Sequence, residues 1–278
     1  MTPFRTVAEV LTAIQTVKAG AADFCTNFFP DGQKLQDWVG RNELLGESRA
    51  GALFLFRRDR DFSRMFFCAA SPAALREGLA ALPNLRAERV VAEVVGAESA
   101  LTGMLAGLEA AGFHRYRKLQ RMARLGQSTL PPAAGAEMPV TLAEGADAPM
   151  ILNSLKGAFD RYAEQLPTAS EIESAVAAGQ IFVVKLDGKL AGLLFFETQG
   201  MTSTLRYWLV AEGFRDRHVG AALMRRYLAT QSAVRRFLLW VIASNDNAVQ
   251  KYLRFGFAPD GLVDHVLASA PIHHENHR

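Results

Sequence analysis

The stretch from Trp208 to Ala221, WLVAEGFRDRHVGA, decides the fold of this chain. Just before and into it, residues 202–210 (TSTLRYWLV) are dense in β-branched and aromatic residues, which favours a strand. Residues 217–230 (RHVGAALMRRYLAT) change to helical spacing, with Val219, Leu223 and Tyr227 four apart. A turn from Ala211 to Asp216 therefore feeds a helix start. Such a start leaves backbone N–H groups without internal partners and carries partial positive charge, so it attracts phosphate. Arg215 and Arg217 flank it, and Gly220 has no Cβ to hold an anion off the main chain. An ordinary turn with two solvated arginines has the same pattern, so this run alone leaves both readings open.

The downstream segment narrows the choice. After Arg235-Arg236 comes an apolar strand, Phe237 to Ala243, and then SNDNAVQKYLRFGF. Its Ser244-Asn245-Asp246-Asn247 cluster signals a helix N-cap, Ala248, Tyr252 and Phe255 share one helical face, and Gly256 closes the helix. Two motifs now stand in order. The first is Val210 followed five residues on by Arg215-Asp216-Arg217-His218-Val219-Gly220. The second is Asn245, Ala248, Tyr252, Gly256 and Phe257 in the spacing Asn-x-x-Ala-x-x-x-Tyr-x-x-x-Gly-Phe. On these motifs residues 138–268 resemble the GNAT superfamily of acyl-CoA N-acyltransferases. One departure stands out: His218 occupies the place of the family's first glycine. Its position at the opening of a right-handed helix leads us to expect a negative φ, where a histidine costs little, whereas a positive φ there would compromise the pyrophosphate site.

Several assignments are implied by the resemblance. The co-substrate is acetyl-CoA or another acyl-CoA, with no metal. Its pyrophosphate is expected on the N–H groups of Arg217, His218, Val219, Gly220 and Ala221, with Arg215 beside them. The backbone around Leu209 and Val210 polarises the thioester carbonyl, and Asn245 contacts the nucleotide from the neighbouring strand. Tyr252 is the expected general acid, since a phenol of pKa ~10 is protonated at neutral pH and can serve a departing thiolate. Tyr252 could equally fill the helix face beside Ala248 and Phe255. The general base is open. Where some relatives carry a glutamate this chain has Thr204, which leaves Glu197 as first choice, with His265 and a water relay as alternatives. The acceptor is a small-molecule or peptide amine. Its pocket is expected from residues 159–168 (FDRYAEQLPT), where Asp160, Tyr162 and Glu164 could face a cation, and from loops near Gln199 and Asp264.

Composition sets outer limits. A chain of 278 residues, half of them hydrophobic, suggests two domains. Thirty-one basic residues against 28 acidic ones leave a net charge of +3, and short pairs such as Arg225-Arg226 do not make the basic face that nucleic acid requires. Cys25 and Cys68 lack metal or redox spacing and read as reduced core residues. No apolar run approaches a membrane span and the amino terminus lacks signal-peptide features, so a cytoplasmic protein without membrane partners is expected. The His-rich tail, His273 to Arg278, reads as a frayed end.

The small- and proline-rich residues 127–137 read as a linker between a domain at 1–126 and one at 138–278. The first has a similar order: a hairpin through Gly51–Arg57 and Phe62–Ala70, a helix from Ser71-Pro72, a strand at Arg89–Val95, a helix from Glu98, then Gly112-Phe113. The expected fold class is thus α/β (α+β), two tandem GNAT-like mixed sheets flanked by helices. The first copy has no Arg-x-x-Gly-x-Gly, and Leu105 and Leu108 replace the tyrosine, so loss of acyl-CoA binding there is expected. Two other functions were weighed. A non-catalytic acyl-CoA-binding or regulatory module is motivated by His218 and Thr204. Acyl transfer from an aminoacyl-tRNA or carrier protein would call for a larger basic face.

Overall fold

The computed structural model describes residues 1–29, 32–82, 89–126 and 138–272. The expected linker, 127–137, and the histidine-rich tail lie outside the described residues. The chain forms two compact units, one of Met1–Leu119 with the segment from Gly261, the other of Gln120–Asp260.

In unit 1 the elements are β1 (Thr2–Pro3), α1 (Val7–Ala19), β2 (Cys25–Thr26), α2 (Gly32–Gly40), β3 (Leu44–Arg49), β4 (Ala52–Asp59), β5 (Phe62–Ala69), α3 (Pro72–Ala80), β6 (Val90–Ala97) and α4 (Thr102–Ala110). Strand β7 (His114–Leu125) leads out of unit 1 and into unit 2. Unit 2 continues with β8 (Val140–Leu142), α5 (Ala148–Ala158), α6 (Ala169–Ala177), β9 (Ile181–Leu186), β10 (Lys189–Gln199), β11 (Thr202–Val210), α7 (Val219–Thr230), β12 (Arg236–Ile242) and α8 (Asp246–Arg254). The last strand, β13 (Ala258–Ala268), carries the chain back to unit 1.

Both units are mixed sheets with helices on two faces, as the sequence suggests. In unit 1 the sheet order is β1-β3-β4-β5-β6-β13, with β2 added to β5. One face packs Phe54, Met65 and Phe67 against Leu75, Leu79, Leu105 and Leu108 of α3 and α4. The other packs Leu53, Leu55 and Cys68 against Val10, Leu35 and Val39 of α1 and α2. In unit 2 the order is β7-β12-β11-β10-β9-β8. Val183, Leu193 and Phe195 meet Ile151, Leu155 and Ile172 of α5 and α6 on one face. Leu194, Phe196, Leu205 and Leu239 meet Leu223, Tyr227 and Tyr252 of α7 and α8 on the other. Side chains alternate across a strand, so each strand supplies both cores.

A cut at residues 127–137 misses an exchange of final strands. Each Gly-Phe turn launches a strand that ends in the other unit: Leu262–Ala268 pairs antiparallel with β6 in unit 1, and β7 from Gln120 adjoins β12 in unit 2. Arg121 and Arg236 both reach Asp260 at 2.8 Å within unit 2. Asp264, expected near the acceptor pocket, and His265, an alternative base, therefore belong to unit 1. His265 is not a solvated edge residue; it is buried and hydrogen-bonds Glu98 at 3.0 Å. Asp264 is buried too, and burial first, then the Glu93 charge, pushes its carboxyl upward.

Local signals are realised where the sequence is most explicit. Asp187 and Gly188 take positive φ (50° and 73°) in the β9–β10 hairpin, as a tight two-residue turn demands. Thr168 and Glu171 form a reciprocal capping box on α6. Ser71 caps α3 with Pro72 in its first turn.

Candidate active site

The site of unit 2 begins with a parting of strands. β11 pairs in parallel with β12 only from Thr202↔Arg236 to Leu205↔Leu239, although both strands run on. On its other edge β11 stays paired with β10 as far as Gly192↔Val210, with a register shift in which Arg206 is the extra residue between Leu205↔Phe196 and Tyr207↔Phe195. Past Leu205, one edge of β11 therefore faces a widening gap. The Ala211 N–H donates to the Ala191 carbonyl at 3.0 Å, toward β10. Peptide groups of an extended strand point to alternate edges, so the N–H groups of Trp208 and Val210 point into the gap and that of Leu209 points to β10. Of the two residues expected to polarise a carbonyl, Val210 faces the right way; Trp208, not singled out in the sequence, joins it.

After Val210 a short 3-10 turn, Glu212–Phe214, leads to α7, which starts at Val219, two residues later than the spacing suggests. Arg217 and His218 thus precede the helix. The expected negative φ at His218 is wrong: His218 sits in the left-handed region, at φ 60° and ψ 9°, and Asp216 is also there at φ 64°. The chain must reverse sharply to bring the first turn of α7 beside the end of β11. The family's glycine suits that geometry, and histidine, with Asn and Asp, is among the non-glycine residues enriched there. His218 caps the helix by position only; its side chain makes no capping hydrogen bond to the first turn of α7. Arg215 and Arg217 are exposed, Arg215 3.8 Å from Glu212 and Arg217 over the Phe214 ring at 5.5 Å.

Gly220 has a packing role. A Cβ there would lie 3.1 Å from Val210 Cγ2 and 3.2 Å from Trp208 Cζ2, so the missing side chain lets α7 rest on the end of β11. The Trp208 indole N–H donates to the Gly220 carbonyl at 3.1 Å. Gly192 serves the same contact from β10: a Cβ would come within 2.8 Å of the Leu209 carbonyl and of Val219 Cγ1. Deeper in the helix, Tyr227 donates to Ser203 Oγ at 2.8 Å and ties α7 to the base of β11.

Tyr252 lies on α8, buried, with its ring 5.3 Å from Trp208 and 6.0 Å from Phe257. Burial, and then the negative charge of Glu164, pushes its phenol well above the ordinary value, so it stays protonated at neutral pH. Two features hold α8. Asn245 Oδ1 accepts from the Ala248 N–H at 3.1 Å, which commits that oxygen to capping. Buried Arg124, which carries no motif signal, donates from Nε to the Phe255 carbonyl at 2.8 Å, a cation at a helix C-terminus. Gly256 follows at φ 79°, the left-handed position a glycine stop requires.

Residues 159–168, expected to form the acceptor pocket, are tied to β11 through Tyr207. Its hydroxyl, pushed up to about 12 by burial, donates to the carbonyls of Glu164 at 2.8 Å and Gln165 at 2.9 Å, and its ring meets Phe159 at 5.1 Å. Glu164 Oε2 accepts from the Asp160 N–H at 2.7 Å. Glu197, opposite Thr204 in the β10–β11 ladder, is not a freely solvated carboxylate: it pairs with Arg206 of the bulge at 3.2 Å. Among the described residues no cluster of three or more His, Cys, Asp or Glu could hold a metal, and no helix is long and apolar enough to cross a membrane.

Residues 149–257, all within unit 2, match the Acetyltransferase (GNAT) family. Among solved structures, the chain resembles a GCN5-related N-acetyltransferase from Sphaerobacter thermophilus at 18% identity and a TM-score of 0.60, over 95% of this chain and 92% of that one. It resembles one from Kribbella flavida at 17% identity and a TM-score of 0.59, over 84% and 92%. A tandem GNAT protein from the clavulanic acid biosynthesis pathway aligns at 13% identity and a TM-score of 0.58, over 98% and 99%. At such identities these structures speak for the fold. No curated protein matches the chain.

Proposed function

We propose, on the premise that this chain carries a GNAT acetyltransferase domain at residues 149–257, that it is an N-acetyltransferase moving an acetyl or short acyl group directly from a CoA thioester to an amine. The observation that carries the reading is the parting of β11 from β12 after Leu205, beside an α7 N-terminus that the side chain of His218 leaves uncapped. A groove with strand amides on one wall and helix amides at its end suits a pantetheine arm and a diphosphate. The amides of Val219, Gly220 and Ala221 bind the diphosphate, with Arg215, Arg217 and His218 at its edge. Asn245 has its amide NH2 to offer the nucleotide, since its oxygen caps α8.

Acyl transfer then uses groups of this chain in three places. The Trp208 N–H, with Val210 next along the gap, donates to the thioester carbonyl oxygen as negative charge builds there. The attacking amine forms the C–N bond and gives up a proton while the C–S bond breaks. Tyr252 gives its phenolic proton to the departing thiolate; its upward-shifted pKa keeps the phenol protonated until that thiolate forms. Tyr252 later regains that proton from solvent.

For the base, Glu197 stays the first candidate, with Arg206 holding it in place at 3.2 Å. Glu164, whose Oε2 accepts from the Asp160 N–H at 2.7 Å in the segment over which the amine enters, is a second. The amine enters over residues 159–168, where Asp160 and Glu164 favour a cationic small molecule or peptide. The test is steady-state acetylation of an amine panel by wild type, Glu197→Gln and Glu164→Gln across pH. Loss of the acidic limb of kcat/KM in one variant identifies the base. Acetyl-CoA binding without turnover on any amine would instead make the protein a binding module.

A further inference from the structure

Unit 1 has a strand parting of its own, and the chain has filled it. β5 pairs in parallel with β6 over just three positions, Ser63↔Val90 to Met65↔Ala92, while β5 runs on to Ala69 and β6 to Ala97. The two partings correspond. The Ala70 N–H donates back to Gly51 at 3.1 Å as the Ala211 N–H donates back to Ala191 at 3.0 Å. Three residues earlier in each strand, the N–H groups of Phe67 and Trp208 both point into the gap.

Residues 23–28 lie in the gap of unit 1. Cys25 and Thr26 pair antiparallel with Ala69 and Cys68, and the Asp23 N–H donates to the Ala70 carbonyl at 3.1 Å. The buried carboxamide of Asn27 spans the opening. Its Oδ1 accepts from the Phe67 N–H at 2.6 Å, and its Nδ2 donates to the Met65 carbonyl of β5 at 3.2 Å and to the Glu93 carbonyl of β6 at 2.8 Å. Thr26 Oγ1 donates to the Phe67 carbonyl at 2.6 Å. Peptide groups orphaned by the parting thus find partners in side chains from one short segment, as buried backbone must.

We propose that residues 23–28 are a built-in ligand of unit 1, with the Asn27 carboxamide oxygen on the amide that corresponds to the carbonyl-polarising Trp208 N–H of unit 2. The groove of unit 1 is then permanently self-occupied, and the protein takes one acyl-CoA per chain. The comparison with Trp208 rests on the proposed acyltransferase reading; the occupancy of the unit 1 gap does not.

Calorimetric titration of the full chain with acetyl-CoA, combined with amide hydrogen exchange, tests this. One equivalent per chain is expected, and two would overturn the proposal. Asn27→Ala should speed exchange at Phe67 by about tenfold or more, because a buried N–H loses its acceptor, while acetyl-CoA affinity stays within about twofold. Unchanged protection of Phe67 in Asn27→Ala would also overturn it. Should that variant not fold, Asn27→Asp keeps the acceptor but loses both donated bonds: loosened exchange at Glu93 and Met65 neighbours supports the plug, and unaltered exchange refutes it. If no acetyl-CoA binds at all, the assignment of unit 2 fails, while exchange at Phe67 still decides the plug.

Discussion

The junction between β5 and α3 in unit 1 and that between β11 and α7 in unit 2 occupy equivalent places and are built in opposite ways. In unit 1, two residues separate strand from helix, Ser71 Oγ accepts from the Ala74 N–H at 3.1 Å, and Pro72 at the start has no N–H to offer. In unit 2, eight residues separate them, two of these at positive φ, and the N-cap residue His218 makes no side-chain cap. One junction caps its helix from its own N-cap side chain; the other does not, and on the proposed function its amides take a ligand. The same contrast recurs at the next helix, where Leu108 stands four residues before Gly112 and Tyr252 four before Gly256. On the proposed function, unit 1 shares the fold and lacks the chemistry, with a capped helix, a filled strand gap and a leucine in place of the phenol.

The largest effect expected from breaking this contrast is at Tyr252. Tyr252→Phe should reduce kcat by roughly 10²–10⁴-fold with the acetyl-CoA Kd nearly unchanged, measured by single-turnover acetylation and titration. An undiminished kcat removes the phenol from the mechanism and leaves it a packing residue, as Leu108 is.

Alkaline pH should separate the two units. Buried Tyr207 has a folded pKa pushed up to about 12, above its unfolded value of about 10, so its stabilisation is whole below pH about 10 and is lost as pH climbs to about 12, on the order of 3 kcal/mol. Tyr227 and Tyr252 are pushed the same way by burial. In unit 1, burial moves the Cys25 thiol from 9.0 to about 11, so loosening there begins near pH 9. Urea unfolding followed by hydrogen exchange at pH 8, 9.5 and 11 should show unit 1 weakening first and unit 2 above pH 10.

Packing substitutions sharpen the contrast next. Gly192→Ala drives a Cβ within 2.8 Å of the Leu209 carbonyl and should cost about 1–3 kcal/mol in chemical denaturation while weakening acetyl-CoA binding, because α7 is pushed off β11. In unit 1, Ser71→Ala should cost about 1 kcal/mol and leave acetyl-CoA binding untouched. The smallest expected change is at position 218. His218→Gly should keep the Kd within about twofold, whereas His218→Val, β-branched at positive φ, should destabilise by about 1–2 kcal/mol and weaken binding.

What the sequence revealed follows how local each signal is. The Ser71-Pro72 helix start, the cap at Asn245, the Gly256 stop and the place of Tyr252 on its helix face are set by neighbours within a few residues, and each is where the pattern puts it. The positive φ of His218 escaped because its cause, the descent of α7 onto Trp208 and Val210, is a tertiary contact. For the same reason Arg124, the bulge at Arg206 and the exchange of final strands left no short-range mark. Asn27 gave the least warning: a lone polar residue in an irregular segment, it becomes meaningful only when Met65, Phe67 and Glu93 are brought around it.

The central claim is that the open junction of unit 2 holds an acyl-CoA. A crystal structure of the protein with acetyl-CoA tests it most directly. The account predicts the diphosphate on the amides of Val219 to Ala221 and the thioester oxygen within hydrogen-bond reach of the Trp208 N–H, with Tyr252 facing the sulfur. A nucleotide seated in unit 1, or a junction in unit 2 closed by its own side chains with no ligand density, would contradict it.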